Sequence, residues 1–63
     1  MDSLDNLFTT IAPIAIGINN YAISAYYHDN TDFKKARLEY IRRDIVRMMK
    51  ALQQFDESVI MGE

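Results

Sequence analysis

The chain has 63 residues, of which 49% are hydrophobic and 25% charged, with a formal net charge of -2 and no cysteine. This balance excludes intrinsic disorder, and the length excludes more than one domain. A chain this short buries only about 60% of the surface that it exposes when unfolded. Since it has no disulfide and a single histidine, we expect self-association to stabilise it.

The first predicted element is a helix from about residue 3 to residue 28. Ser3 suits the N-cap position, and Asp5 in the first turn suits the positive end of the helix dipole. Apolar residues then recur at alternating spacings of four and three, which is typical of one side of a helix. This first seam comprises Leu4, Phe8, Ile11, Ala15, Ile18, Ala22 and Ala25, with Leu7, Ile14 and Tyr21 flanking it.

Pro13 lies inside this predicted helix and leaves two interpretations open. A single helix would be kinked near Pro13, because proline cannot donate to the carbonyl of Thr9. Alternatively, a fresh helix starts at Thr10, which would place Pro13 in a first turn, where a missing N–H costs nothing. We favour the single kinked helix.

A second helix is predicted from about residue 32 to residue 58. Asn30 or Thr31 suits its N-cap, and Asp32 lies in its first turn. No glycine or proline occurs between residues 34 and 57. The second seam comprises Leu38, Ile41, Ile45, Met48, Leu52 and Phe55.

The predicted fold is all-α, a single helical-hairpin domain that dimerises. Helix connections as short as this one join antiparallel neighbours. The apolar stripe of each helix is wide, so a lone hairpin would leave a large apolar patch in water. Stacking a second copy closes a four-helix bundle, and we expect the two seams to form the core of that homodimer. The alanines at 15, 22 and 25 would let another helix approach closely.

Basic residues are confined to the second helix, and four side chains there form a candidate partner-binding stripe. Seven basic residues lie between residues 33 and 52 against two acidic ones. The stripe comprises Tyr40, Arg43, Arg47 and Lys50. Such a stripe suits an acidic protein or nucleic acid. The alternative is a solvated surface on which Glu39 pairs with Arg43.

Other polar groups predict little chemistry. We expect Tyr26, Tyr27 and Tyr40 to gather with His28 at the connection, where tyrosines usually cap a bundle with their rings inside. The segment from His28 to Asp32 lacks the ligand spacing of a calcium loop. No acidic residue appears within either seam, and there is no nucleophile paired with a base. The sequence therefore predicts no metal, no cofactor and no enzyme.

We expect a small cytoplasmic regulator or adaptor, and two alternatives stay open. The start of the chain carries acids where an export signal carries basic residues, so no such signal is predicted. Residues 6–27 contain no charge and are long enough to span a bilayer, although Asn19, Asn20 and Pro13 argue against a span. A filament subunit is the other alternative, because Ile16 and Ile23 give the first helix a second apolar side.

Overall fold

The structure is a computed structural model that describes residues 3–55. These residues form two α-helices that pack against each other. Helix α1 spans Ser3–Tyr26 and helix α2 spans Thr31–Gln54. Gly17 lies opposite Asp44 near the middle of both helices, and the rings of Tyr21 and Tyr40 meet nearer the connection. The pairing is therefore antiparallel, and the prediction of an all-α helical hairpin is confirmed.

Helix α1 runs without interruption through Pro13. The alternative start at Thr10 is therefore wrong, while the kink near Pro13 stays a prediction. Ser3 is the first helical residue rather than the cap, and the helix ends at Tyr26, two residues before the expected end. The chain leaves α1 through bonds from the backbone N–H groups of Tyr27 and His28 to the carbonyls of Ile23 and Ala25, both at 3.2 Å.

The start of α2 is fixed by side chains of the connection. Asn30 Oδ1 accepts a hydrogen bond from the Phe33 N–H at 2.9 Å, so Asn30 is the N-cap of α2. The N–H of Asn30 in turn donates to His28 Nδ1 at 3.1 Å. The His28 ring also stacks on the Phe33 ring, with 4.0 Å between centroids. These contacts tie the connection to the first turn of α2.

Helix α2 ends earlier than the sequence predicts. Phe55 has left the helical conformation, with φ -77° and ψ 123°, and its N–H donates to the carbonyl of Leu52 at 3.2 Å. The expected continuation to residue 58 falls on residues outside the described range, but the last helical residue is Gln54.

The core between the helices is thin. Among residues 3–55, only Ile14 of α1 and Asp44 of α2 are buried, at 7% and 3% exposure. Burial of Ile14 contributes about 1.5–3 kcal/mol. Half-buried residues at helical spacing extend this core in both directions. This contact row comprises Leu7, Ile11, Ile14, Ile18, Tyr21 and Ala25 from the first helix, and Phe33, Arg37, Ile41, Asp44, Met48, Ala51 and Phe55 from the second.

Candidate functional site

Much of the predicted dimer core is exposed on the single hairpin. Within the two seams, Ile11, Ile18, Ala25, Ile41, Met48 and Phe55 belong to the contact row and are half-buried against the partner helix. The remaining seam residues are exposed. We call them the apolar face, which comprises Leu4, Phe8, Ala15, Ala22, Leu38, Ile45 and Leu52. The predicted seams therefore divide between the inside of the hairpin and one of its surfaces.

The exposed seam residues of the two helices lie on the same side of the hairpin. Apart from Leu4, each follows a contact-row residue by one position, namely Phe8, Ala15 and Ala22 on α1 and Leu38, Ile45 and Leu52 on α2. One position rotates a side chain by about 100° around the helix axis. Antiparallel helices are related by a two-fold axis perpendicular to the plane that contains them. This axis places side chains that are rotated by the same angle on the same side of that plane. Both rows therefore contribute to a single apolar surface.

The opposite side of the hairpin carries a polar groove. Residues that follow the contact row by three positions, such as Thr10, Gly17 and Arg47, rotate away from the apolar face. A groove of about 380 Å³ lies there, lined by Thr10, Pro13, Ile14, Gly17, Tyr21, Arg43, Asp44 and Arg47. A second cavity of about 380 Å³ shares Thr10 and continues toward the open end, where it is lined by Asn6, Gln54 and Phe55 among others. The two long surfaces of the hairpin therefore differ in chemistry.

Asp44 is the centre of the polar groove. Its carboxylate is the most buried side chain among the described residues, and both arginines of the stripe bind it. Arg43 donates from Nε to Asp44 Oδ1 at 3.2 Å, and Arg47 donates from Nη1 to the same oxygen at 3.1 Å. Asp44 lies outside both predicted seams, so the sequence did not place it between the helices; the two arginines neutralise this carboxylate where it is buried.

Two opposing effects set the protonation of Asp44. Burial by itself raises the pKa of the carboxyl group, and the hydrogen bonds and charges of Arg43 and Arg47 lower it. The arginines outweigh burial, so the pKa of Asp44 lies below its ordinary value. The Arg43 guanidinium, beside the Asp44 carboxylate and the Tyr21 side chain, has its pKa raised. Asp44 and Arg43 are therefore both charged at neutral pH.

The predicted partner-binding stripe is brought together in part. The Arg43 guanidinium carbon lies 5.2 Å from the centroid of the Tyr40 ring, and that ring lies 5.2 Å from the ring of Tyr21 on the other helix. Lys50 is exposed one turn after Arg47. Tyr40, Arg43 and Arg47 thus form one cluster at the groove.

The alternative reading of the stripe, in which Glu39 pairs with Arg43, is not what the structure shows. Glu39 Oε1 instead accepts from Arg42 Nη1 at 2.8 Å, on an exposed part of α2. Arg43 is left to Asp44, so the arginine that the sequence placed on a solvated surface belongs to a partly buried ion-pair group.

Sequence reasoning missed Arg37, which sits among three rings. Its guanidinium carbon lies 4.5 Å from the ring centroid of Phe33, 5.5 Å from that of Tyr21 and 5.7 Å from that of Tyr40. These distances allow cation–π attraction. The position seven residues before Asp44 is the signal that puts Arg37 in the contact row.

The tyrosines do not gather at the connection as predicted. Tyr26 and Tyr27 are strongly exposed and touch each other edge to face, at 4.9 Å between ring centroids. His28 stacks on Phe33, and Tyr40 pairs with Tyr21. The rings at 26 and 27 therefore lie in solvent on the single hairpin rather than inside it.

Within residues 3–55, no three His, Asp or Glu side chains come together in the way that metal ligands do. Helix α1 is long and apolar enough to cross a membrane by length and composition, and little of it is buried by α2. No family model matches the chain, and neither a curated protein nor a solved structure resembles it significantly. The two surfaces of the hairpin are therefore the features that indicate a function.

Proposed function

We propose that this protein is a small non-enzymatic binding protein, a regulator or adaptor that works as a homodimer and contacts a protein or nucleic-acid partner through the basic surface of α2. Two hairpins would stack through their apolar faces into a four-helix bundle. The observation that carries this proposal is that the exposed apolar rows of both helices lie on one side of the hairpin. A chain without cysteine suits a reducing compartment such as the cytoplasm.

Dimerisation follows from the cost of leaving the apolar face in water. Leu4, Phe8, Leu38, Ile45 and Leu52 are all at least 40% exposed on the single hairpin. Each such side chain contributes about 1.5–3 kcal/mol when it is fully buried. Burial of this surface is a large gain for a chain whose own core holds a single buried apolar residue among those described.

The sizes of the side chains favour a second copy of this chain as the occupant of the apolar face. The α1 part of the face carries the small residues Ala15 and Ala22, whereas the α2 part carries Leu38 and Ile45. Two-fold stacking about an axis parallel to the helices places α1 of one hairpin over α2 of the other, so small residues oppose large ones. This arrangement leaves both polar grooves on the outside of the bundle, free for other partners.

A membrane-associated protein is the second candidate, and the surface of α1 is the observation that favours it. Ile16 and Ile23 are exposed on the side of α1 away from α2, in a helix without charge from residue 6 to its end. The same two residues would join hairpins in a filament. Both possibilities use the outer side of α1, whereas the proposed dimer uses the apolar face, so substitutions can separate them.

The test compares two isoleucines of similar exposure. Ile45, at 44% exposure, lies on the apolar face, and Ile23, at 48%, lies on the outer side of α1. We expect Ile45→Asp to abolish the dimer, because burying an unpaired carboxylate costs several kcal/mol. Ile23→Asp should leave the dimer intact. Sedimentation equilibrium without detergent measures the mass, and circular dichroism measures the helix content of each variant.

Three results would contradict the proposal. A monomeric wild-type protein would remove the dimer altogether. A wild-type protein that is soluble only in detergent would favour the membrane. Association that Ile23→Asp abolishes and Ile45→Asp retains would place the contact on the outer side of α1 and favour a filament.

A further inference from the structure

The buried carboxylate of Asp44 orders two arginines without using up their hydrogen-bond donors. A guanidinium group has five N–H donors. Arg43 gives one of them, from Nε, to Asp44 Oδ1, and Arg47 gives one, from Nη1, to the same atom. The two side chains are still 53% and 59% exposed. The Tyr21 side chain also interacts with the Arg43 guanidinium. Each guanidinium group therefore keeps at least three of its five donors for another group.

These donors line an open groove. Gly17 forms part of its wall, and the absence of a side chain there keeps the space beside Asp44 open. Thr10 and Pro13 line the groove further along α1. The hydroxyl of Thr10 donates to the Asn6 carbonyl of its own helix at 3.0 Å, so it does not close the groove. A short side chain that enters from solvent would thus reach two preorganised guanidinium groups.

We infer that the polar groove binds a carboxylate side chain of an acidic protein segment, held by Arg43 and Arg47. Carboxylates pair with guanidinium groups through short, charge-assisted hydrogen bonds, and two ordered arginines lose little side-chain entropy on binding. This inference deepens the proposed function, because it names the partner chemistry of the basic α2 surface.

The charges at the groove favour an acidic protein over nucleic acid. Two cations of α2 are engaged elsewhere: Arg42 pairs with Glu39, and Arg37 lies among three rings. The groove side keeps Arg43, Arg47 and Lys50 against Asp44, a net of two positive charges. Nucleic acid gains affinity from many phosphate contacts at once, and a surface with two net positive charges offers few of them. An isolated carboxylate needs only the arginine pair.

In the proposed dimer the two grooves face opposite directions. One bundle would then bind two acidic segments, from one partner or from two. This geometry is that of an adaptor that bridges acidic partners, and it requires no change in the shape of the hairpin.

The test measures binding of a fluorescently labelled oligoglutamate peptide by anisotropy, beside a single-stranded oligonucleotide of the same net charge. Arg47→Ala removes a groove arginine and leaves the bond between Arg43 and Asp44. Arg42→Ala is the matched control, since it removes one cation from the same helix away from the groove. Thr10→Phe fills the groove and changes no charge.

The wild-type protein and Arg42→Ala should bind the peptide equally. Arg47→Ala should bind it at least about tenfold more weakly, because the loss of a hydrogen bond to a charged group typically weakens binding by at least this factor. Thr10→Phe should also weaken binding, which simple charge attraction does not predict. Circular dichroism must show that all variants keep their helix content.

The inference is overturned if the wild-type protein does not bind the peptide, or if it binds the oligonucleotide more tightly. An equal loss of affinity in Arg42→Ala and Arg47→Ala would show that binding depends only on net charge. That result would also overturn the inference. Sedimentation of the same samples separates it from the proposed dimer. A monomer that binds the peptide in the groove would support the binding site and contradict the dimer. A dimer that does not bind the peptide would support the dimer and contradict the binding site.

Discussion

Gly17 of α1 lies directly opposite Asp44 of α2, so that a Cβ atom added to Gly17 would lie 3.5 Å from Asp44 Oδ2. Both arginines bind the other carboxylate oxygen, Oδ1. One oxygen of Asp44 thus faces the two cations and the other faces the backbone of the neighbouring helix. A small residue at position 17 lets a charged residue occupy the middle of the contact row, because a long side chain there would enter the space of Asp44.

The first prediction concerns Gly17→Ala. Separations of 3.5 Å from Asp44 and 4.0 Å from the Tyr21 ring are ordinary van der Waals contacts, and Gly17 has no positive φ. Alanine therefore fits, and it favours a helix by about 1 kcal/mol over glycine. We expect the free energy of unfolding, measured by urea titration, to rise by up to about 1 kcal/mol.

Gly17→Leu is the matched variant for this prediction. The longer side chain enters the space of Asp44 and Tyr21, and overpacking of this kind costs about 1–3 kcal/mol. Leucine is also a good helix former, so a loss of stability would report the contact and not helix propensity. If Gly17→Leu proves as stable as Gly17→Ala, Gly17 does not face Asp44 closely.

The second prediction concerns the pH dependence that Asp44 confers. Its pKa in the folded protein is lowered from the ordinary 3.8, so the ion pairs stabilise the fold fully above that value. The contribution is lost as the pH falls through the lower pKa of the folded state. Asp44→Asn should therefore be less stable than the wild-type protein at about pH 7, and the difference should shrink below about pH 4.

Thermal melts of both proteins across this pH range measure the effect. Asp29→Asn, in the exposed connection, is the control for removing one acidic group. A difference between the wild-type protein and Asp44→Asn that stays constant down to about pH 2 would mean that the charge of Asp44 does not stabilise the fold.

The two helices and their antiparallel pairing could be predicted because the signals are local. Alternating spacings of three and four fix a helix, and a short polar connection with Asn30 fixes the turn. Neither signal depends on contacts between distant parts of the chain. The hairpin is therefore the part of the structure that the sequence determines most directly.

The side of each helix that faces the other could not be predicted in the same way. Two possible contact rows on α2 have the same spacing, and both contain Ile41, Met48 and Phe55. One of them also contains the α2 residues of the apolar face, and the other also contains Asp44 and Ala51. Hydrophobicity alone selects the first row. The structure uses the second, because Arg43 and Arg47 neutralise Asp44 and Gly17 makes room for it. The position of Gly17 opposite Asp44 depends on the register between the helices, which no local pattern shows.

The third prediction concerns the small residues of the apolar face. Ala22 is exposed on the single hairpin and would oppose α2 of the second copy in the proposed dimer. Ala22→Leu adds three carbons at that contact, and overpacking costs about 1–3 kcal/mol, or roughly fivefold to more than a hundredfold in the dissociation constant of the dimer. The hairpin itself should keep its helix content, because the added carbons do not point toward its own contact row. The matched control is Ala36→Leu, which makes the same change at an exposed position on α2 that is turned away from the apolar face, and it should leave the dimer unaffected. Analytical ultracentrifugation over a range of concentrations gives the dissociation constant of the dimer for each variant. A dimer that Ala22→Leu strengthens would show open space at this position, and the packing of small residues against large ones would then be wrong even if the dimer is right.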